Sequence, residues 1–367
     1  MPTAVSTRGS SFGTEETLEE RWSVQNLEYV RDLWKLDDEQ YRELVAMKTK
    51  LADVHHWKNN PYEVIRFVTG PQGFHKAEEL FRDMVKWRIE NNMETILDTY
   101  KPPKALLRYY PSAILKGYDK EGDPIYLERG GAMDGPGLLS RFGRERLLQF
   151  VIWGRELSFR GRWIEEYELK QGRPPTRLTI IYDLSGLNSS HLKAGVLPLM
   201  NEAMKITQLR YNGIAKRMIV IRAPSIFSLV WGVVKYAFPK AAMKKFVFSG
   251  PKNHLEVLDK YVDRDVLPPC IVPGGKGTVA VEMSPYLDGG IIPENITGQE
   301  DDDEKELLVD AGYESTASTE VSSDCSDAPL ASNHIPLSTT SLKIRCKRIT
   351  GGWWNGNTPS KSIRVFN

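Results

Sequence analysis

The fold of this 367-residue chain is decided by residues 177–250, RLTIIYDLSGLNSSHLKAGVLPLMNEAMKITQLRYNGIAKRMIVIRAPSIFSLVWGVVKYAFPKAAMKKFVFSG. A short apolar run from Leu178 to Tyr182, rich in β-branched residues, predicts a buried strand. A second apolar run, from Met218 to Ile221, predicts another strand. Between them, apolar residues recur every three or four positions and share one helix face, at Leu192, Val196, Leu199, Ala203 and Ile206. A strand, a helix and a strand in this order predict a βαβ unit with a parallel sheet and a right-handed crossover.

Residues 226–238, IFSLVWGVVKYAF, predict a helix that is apolar on two faces. One face holds Phe227, Val230, Trp231, Val234 and Phe238, and the other holds Ile226, Leu229, Val233 and Ala237. A helix that is apolar all round is normally buried in a protein core or placed in lipid. This segment is too short to span a bilayer and contains Lys235. Two interpretations follow: a central core helix, or a lid with one face on an apolar ligand and the other meeting a membrane.

The flanking parts of the chain contain further helix and turn signals. The segment from Thr17 to about Leu51 is predicted to be helical, with Asp37 placed to cap its second part. Residues 62–90 predict a helical hairpin broken at Gly70 and Pro71. Further along, residues 119–123 predict a hairpin turn, residues 130–143 a glycine-rich loop, and residues 144–164 and 253–266 two helices.

Several segments, by their order and spacing, resemble one known family. They are IRFVTGPQGFHKAEELFRDMVKWR (65–88), DKEGDPIYLE (119–128), IIYDLSGLN (180–188), IVIRAPSIFSLVWGVVKYAFP (219–239), KKFVFSG (244–250) and LPPCIVPGGK (267–276). Over residues 60–278 the chain resembles the CRAL-TRIO lipid-binding family, of the cytosolic phosphatidylinositol/phosphatidylcholine transfer protein type. The resemblance implies an α/β fold whose mixed, mostly parallel sheet floors a hydrophobic cavity. It also implies a lid helix at 226–238 that closes the cavity, and a small all-helical N-terminal region.

A cavity between the sheet and the lid helix needs apolar walls with few polar groups. Leu178, Ile180 and Tyr182 share one face of the predicted strand, because side chains alternate along a strand. The predicted lipid-binding residues are these three together with Tyr126, Met200, Ala203, Met204, Phe227, Val230, Trp231, Val234 and Phe238. Plain packing in the core is the alternative for each of them.

The resemblance assigns two of the candidate residues and also shows where this sequence departs from the family. Tyr126 matches one tyrosine of the family's phosphatidylcholine site, and Leu115 replaces the other. Leu178 and Ile180 replace the Ser-x-Thr of the same site. Lys245 is the retained part of the family's phosphatidylinositol headgroup motif. The resemblance therefore implies a bound lipid without naming it.

Charge is distributed unevenly along the chain, although the net charge is +1. Residues 288–332 hold thirteen acidic residues and one lysine, residues 333–367 hold six basic residues and no acid, and residues 1–287 therefore carry +7. A basic body suits an anionic membrane surface, with ordinary solvated charge as the alternative. The predicted organisation is disordered residues 1–14, a helical region 15–100, a lipid-binding domain 101–287 and a disordered tail 288–367, acidic and then basic and aromatic.

The sequence also contains signals about compartment and chemistry. Its three cysteines, at 270, 325 and 346, are far apart, which favours a reducing compartment and argues against a disulfide framework or a zinc site. The N-terminus lacks the apolar segment of a secretory signal, and there is no apolar run of membrane-spanning length. Motifs of the GxSxG, GxGxxG and HExxH types are absent. A cytoplasmic protein is predicted, with no catalytic residues, no metal and no cofactor other than the bound lipid as ligand.

Taken together, these patterns predict a protein that binds a lipid or other hydrophobic small molecule in an internal cavity and transfers or presents it at membranes. The expected partners are a phospholipid or other hydrophobic ligand and a membrane surface contacted peripherally, with no nucleic acid. The C-terminal tail is a candidate for binding a protein partner or the membrane interface. Two alternatives remain: a lipid-sensing regulatory or scaffold module that does not transfer lipid, and an α/β enzyme.

Overall fold

The computed structural model describes residues 16–193 and 195–294. Within these ranges, helices occupy the chain up to the first strand: α1 (Leu18–Arg21), α2 (Val24–Trp34), α3 (Asp38–Lys50), α4 (Pro61–Val68), α5 (Phe74–Glu90), α6 (Ile96–Thr99) and α7 (Lys104–Tyr109). The predictions for residues 1–14 and for most of the tail lie outside the described residues.

Side-chain caps and one buried cluster fix the N-terminal helices. The Asp37 side chain accepts a hydrogen bond from the backbone N–H of Gln40, and the Gln40 side chain accepts one from the backbone N–H of Asp37. Each satisfies a backbone group that a helix start leaves free, as the sequence predicted for Asp37. Helices α4 and α5 form the predicted hairpin around Gly70 and Pro71. Apolar side chains from α2 to α5 pack into one core beside this hairpin, including Leu27, Val30, Leu44, Met47, Val64, Phe67 and Phe81.

The sheet has five strands in the order of the sequence: β1 (Ser112–Tyr118), β2 (Pro124–Glu128), β3 (Leu178–Asp183), β4 (Ala215–Ile221) and β5 (Phe246–Phe248). Strands β1 and β2 pair antiparallel through the turn predicted at 119–123, and all later neighbours pair parallel. The Asp119 carboxylate accepts hydrogen bonds from the backbone N–H groups of Glu121 and Asp123, which holds the turn closed. The predicted mixed, mostly parallel sheet is confirmed.

Further helices cover both faces of the sheet: α8 (Gly135–Arg160), α9 (Trp163–Gln171), α10 (Val196–Arg210), α11 (Phe227–Val234), α12 (Lys240–Met243) and α13 (His254–Leu258). Helix α10 connects β3 to its parallel neighbour β4, as the βαβ prediction requires. One face of the sheet packs into a closed apolar core with the C-terminal segment, formed by Leu115, Ile125, Leu127, Ile181, Ile219, Ile221, Leu258, Val262 and Leu267. None of the helices in the described part of the chain has the length and hydropathy needed to cross a bilayer.

Three local predictions need correction. Residues 130–143 are not a loop throughout, because α8 begins at Gly135, where the Asp134 side chain accepts a hydrogen bond from the Gly137 N–H. The helix changes direction at Gly143, which adopts φ 74°. Leu192 ends a short 3-10 turn ahead of α10, and the helix predicted over 253–266 stops at Leu258.

A buried charge network joins the N-terminal helices to the sheet domain. Arg88 on α5 donates two hydrogen bonds to the Glu156 carboxylate on α8, at 2.7 and 3.1 Å, and one to Glu94 at 2.7 Å. The Tyr211 hydroxyl, just after α10, donates to the same Glu156 carboxylate at 2.8 Å. Burial alone would raise the pKa of Glu156, but Arg88 and Arg160 lower it to about 2. Glu156 is therefore an ionised carboxylate whose oxygens are matched by buried donors.

Candidate functional site

An internal cavity of about 260 Å³ lies between the sheet and helices α8, α10 and α11. For comparison, an apolar cavity of roughly 150 Å³ in another protein stays dry and binds benzene. The face of the sheet that floors it is the one opposite the closed core. Because side chains alternate along a strand, β3 presents Ile180 and Tyr182 to this face, and β4 presents Met218 and Val220. The floor is thus built by the period-two pattern of the central strands.

Helix α10 forms a second wall. Met200, Ala203, Met204 and Thr207 line the cavity at helical spacing. None of the fifteen residues of α10 is fully buried, although the helix crosses over the sheet. A helix packed directly on a sheet would bury its inner stripe, and here that stripe faces open space instead. The two methionines add flexible apolar side chains that can adjust to ligands of different shape.

Helix α11 forms the third wall and has two different environments. Phe227, Val230, Trp231 and Val234 face the cavity. On the outer face, Leu229 is 61% and Val233 45% exposed, and Tyr236 in the following 3-10 turn is 79% exposed. The interpretation of residues 226–238 as a central core helix is therefore wrong: the helix lies at the surface with apolar side chains in contact with solvent.

Aromatic contacts attach α11 to the last strand. The Trp231 ring lies 4.9 Å, centroid to centroid, from both Phe246 and Phe248 in edge-to-face arrangements. Phe227 stands 5.8 Å and Phe238 6.5 Å from the same ring. Such contacts stabilise by about 0.5–1.5 kcal/mol each beyond burial, so Trp231 is the main anchor of α11 over β5.

The structure brings together ten of the twelve predicted lipid-binding residues in the cavity wall: Ile180, Tyr182, Met200, Ala203, Met204, Phe227, Val230, Trp231, Val234 and Phe238. Leu178 is not in this wall; it is buried at the start of β3, where an extra residue on β4 shifts the register between Leu178 and Thr179. Tyr126 is not in it either, because the guanidinium of Arg155 lies over its ring, 4.9 Å from the centroid. The contacts of all twelve with a lipid stay a prediction.

Lys245, the predicted headgroup residue, also lies in the cavity wall. Its Nζ donates a hydrogen bond to the backbone carbonyl of Ala215 at 2.7 Å. Burial, with a smaller effect of Arg177, lowers the pKa of Lys245 to about 8. The headgroup role of Lys245 remains a prediction.

Sequence reasoning missed the polar end of the cavity. Arg155 on α8 and Glu128 at the end of β2 both line the cavity, with side chains only 11% and 15% exposed. Their closest approach is 4.0 Å, and Tyr126 donates a hydrogen bond to Glu128 at 3.0 Å. Burial raises the pKa of Glu128, with Arg155 and Tyr126 opposing the shift in part. A signal was present in the sequence: Arg155 continues the inward stripe of Leu148 and Val151 at helical spacing.

Part of this chain matches a known protein family, and several known proteins are similar to it in sequence. The CRAL/TRIO domain family model matches residues 109–270. "Protein real-time" of Drosophila pseudoobscura pseudoobscura is 27% identical over 290 residues, covering 77% of this chain and 42% of the relative. The protein of the same name from Aedes aegypti is 27% identical over 304 residues, covering 80% of this chain and 45% of the relative. The chain thus spans less than half the length of these curated relatives.

A nematode relative and one solved structure are also similar. A CRAL-TRIO domain-containing protein of Caenorhabditis elegans is 26% identical over 246 residues, covering 66% of this chain and 34% of the relative. The crystal structure of Sfh5 superposes with a TM-score of 0.42 at 14% identity, covering 62% of this chain and 73% of that chain. The family match covers the whole sheet and the cavity walls formed by α8, α10 and α11, in agreement with the resemblance seen in the sequence. Residues 109–270 match the CRAL/TRIO domain family, and this chain is similar to proteins that carry the domain.

Proposed function

We propose that this protein binds one lipid in the cavity and transfers or presents it at membranes, acting in the cytoplasm with peripheral membrane association. The observation that carries the proposal is the position of α11. The same helix forms a cavity wall with Phe227 and Trp231 and exposes Leu229 and Val233 to solvent. A single element therefore contacts both the ligand space and the outside of the protein.

The exposed face of α11 gives the membrane a role in release. Moving α11 away from the sheet in water would expose several large apolar side chains, each at a cost of roughly 1.5–3 kcal/mol. At a bilayer the same side chains would enter lipid, so the open state would cost far less there. A membrane would then shift the population toward the open state, without any other trigger. The basic charge of residues 1–287 would favour contact with anionic lipid surfaces.

A bound lipid in the purified protein is the direct test of the proposal. Because the cavity is apolar, we expect organic extraction of the full chain to release close to one lipid per protein, identified by mass spectrometry. Protein purified without detergent excludes a detergent molecule as the occupant. Extraction of only traces, far below one equivalent, would contradict the proposal. Transfer between labelled and unlabelled vesicles then separates a transfer protein from a module that only senses lipid, which would bind without transferring.

Filling the cavity should remove the ligand without altering the surface of α11. Ala203 lines the cavity from α10, and replacing it by Phe places a ring in the space that the lipid would occupy. We expect A203F to raise the dissociation constant of the lipid by about tenfold, equivalent to roughly 1.4 kcal/mol, and so to lower the lipid content of the purified protein. The matched control is K205F on the exposed side of the same helix. Equal lipid content in A203F, K205F and wild type would mean that the ligand lies elsewhere.

A further inference from the structure

Arg155 is a buried cation whose hydrogen-bonding capacity the protein does not use up. It lies in the wall of a mostly apolar cavity with its side chain 11% exposed. Among the described residues, its Nε has no hydrogen-bond acceptor, and its ion-pair partner is Glu128, whose carboxylate is 4.0 Å away. That distance is too long for a hydrogen bond. A guanidinium carries five N–H donors in a rigid fork, and none of those of Arg155 donates a hydrogen bond to a residue in the described part of the chain.

Arg88, a second buried arginine of the same chain, has a carboxylate that accepts its hydrogen bonds. Arg88 places two nitrogens on the two oxygens of Glu156, at 2.7 and 3.1 Å. Both arginines are enclosed, but only Arg88 is paired in this two-point manner. Leaving buried charged donors without acceptors is costly, and such groups are normally paired. Arg155 therefore differs from Arg88 in having an ion-pair partner, Glu128, that is too far away to accept its hydrogen bonds.

Neighbouring residues orient Arg155 without accepting its hydrogen bonds. The Tyr126 ring lies 4.9 Å from the guanidinium carbon, which supports one face of the group. Glu128 accepts a hydrogen bond from the Tyr126 hydroxyl at 3.0 Å, and burial raises its pKa. Glu128 is therefore held by Tyr126, and its negative charge is disfavoured by its surroundings. A rigid, desolvated guanidinium is left facing the ligand space.

We propose that Arg155 binds the acidic headgroup of the ligand, a carboxylate or phosphate, so that the lipid lies head-first inside the cavity. This inference rests on the proposed function and specifies its ligand class. Carboxylate and phosphate oxygens match the fork of a guanidinium with two parallel hydrogen bonds, which neutral ester or ether oxygens cannot do as strongly. Strand β2, which carries Glu128, is three strands from β5, or about 14 Å at normal strand spacing. The apolar tail then runs across the sheet toward the aromatic cluster of Trp231 and Phe246.

The test compares an acidic lipid with its neutral ester on the full chain. The probes are cis-parinaric acid, followed by its fluorescence on binding, and its methyl ester, which has the same chain without the charge. We expect wild type to bind the acid about tenfold to a hundredfold more tightly than the ester, the range for a hydrogen bond to a charged group. Displacement of the probe by oleate and by oleoyl lysophosphatidic acid distinguishes a carboxylate from a phosphate headgroup.

Two substitutions move the preference in opposite directions. R155M should reduce the acid-to-ester affinity ratio to about one, and R155K should restore part of it because it keeps the charge without the fork. E128Q should raise the ratio, because it removes the competing carboxylate. The E128Q measurement tests the headgroup assignment even if R155M folds poorly. Equal affinities of acid and ester for wild type, or a ratio that E128Q lowers, would overturn the headgroup assignment. Absence of binding for both probes would instead count against the proposed function itself.

Discussion

Replacing Trp231 by aspartate is expected to lower lipid transfer between vesicles by at least about tenfold, because a carboxylate is disfavoured in both positions of α11. In the closed position the side chain packs 4.9 Å from Phe246 and Phe248 and lines the cavity. In the open position it would lie against bilayer lipid. An unpaired carboxylate is poorly solvated in either place. In the W231D variant, α11 therefore cannot move between the cavity and the bilayer at low free-energy cost.

The control for this prediction is an equal change at an exposed apolar residue far from the cavity. Leu169 on α9 is 87% exposed, so L169D adds the same charge in water and should transfer lipid like wild type. W231F keeps the aromatic contacts and should retain most of the activity. Melting curves for all three variants show whether the domain stays folded. Lipid transfer by W231D at the wild-type rate would show that α11 does not gate the cavity.

The largest expected effect on stability comes from Arg88. R88M leaves the Glu156 carboxylate buried beside α5 without its two-point partner, and we expect a loss of about 3–5 kcal/mol in the free energy of unfolding. At roughly 2–4 °C per kcal/mol for a domain of this size, thermal unfolding by circular dichroism should show a decrease of about 6–20 °C. R264M is the matched control, because the Arg264–Asp259 pair is exposed. It should change the stability by less than about 1 kcal/mol.

Lowering the pH should reduce the difference between R88M and wild type. The pKa of Glu156 is held at about 2 in the folded protein, against an ordinary value of 4.5. A carboxylate with a lowered pKa contributes stability above its unfolded value and loses that contribution as the pH falls toward its folded value. The stability gap measured at pH 7 should therefore decrease from about pH 4.5 toward pH 2. A gap that is already below 1 kcal/mol at pH 7 would show that the Arg88–Glu156 pair contributes little.

The architecture was predictable because several local signals agree. The apolar runs at β3 and β4, and the helical spacing between them, each have a period that fits one element only. The cap at Asp37 and the turn at 119–123 were also readable, since each depends on residues close in sequence. Most of the cavity wall followed from the same periods, because residues on one strand face or one helix face meet the same space.

The remaining features depend on contacts that sequence spacing does not contain. The guanidinium of Arg155 on α8 lies over the ring of Tyr126 on β2. The sequence of neither segment predicts this contact with the other. The two apolar faces of α11 fit a core helix as well as a surface one, and only the tertiary structure distinguishes them. The start of α8 at Gly135 was obscured because glycine and proline there are typical of loops, whereas the Asp134 cap and Pro136 at the helix start favour a helix.

The absence of fully buried residues on α10 has a consequence for the life of the protein in a cell. Other domains fill their core with their own side chains. This domain leaves a space beside α10 that the proposed ligand would fill. Such a ligand would stabilise the folded chain by mass action, by about 2.7 kcal/mol at a hundredfold excess over its dissociation constant. Newly made chains that find no lipid would open more often and reach proteases sooner. The abundance of the protein would then follow the supply of its lipid, with no dedicated sensor.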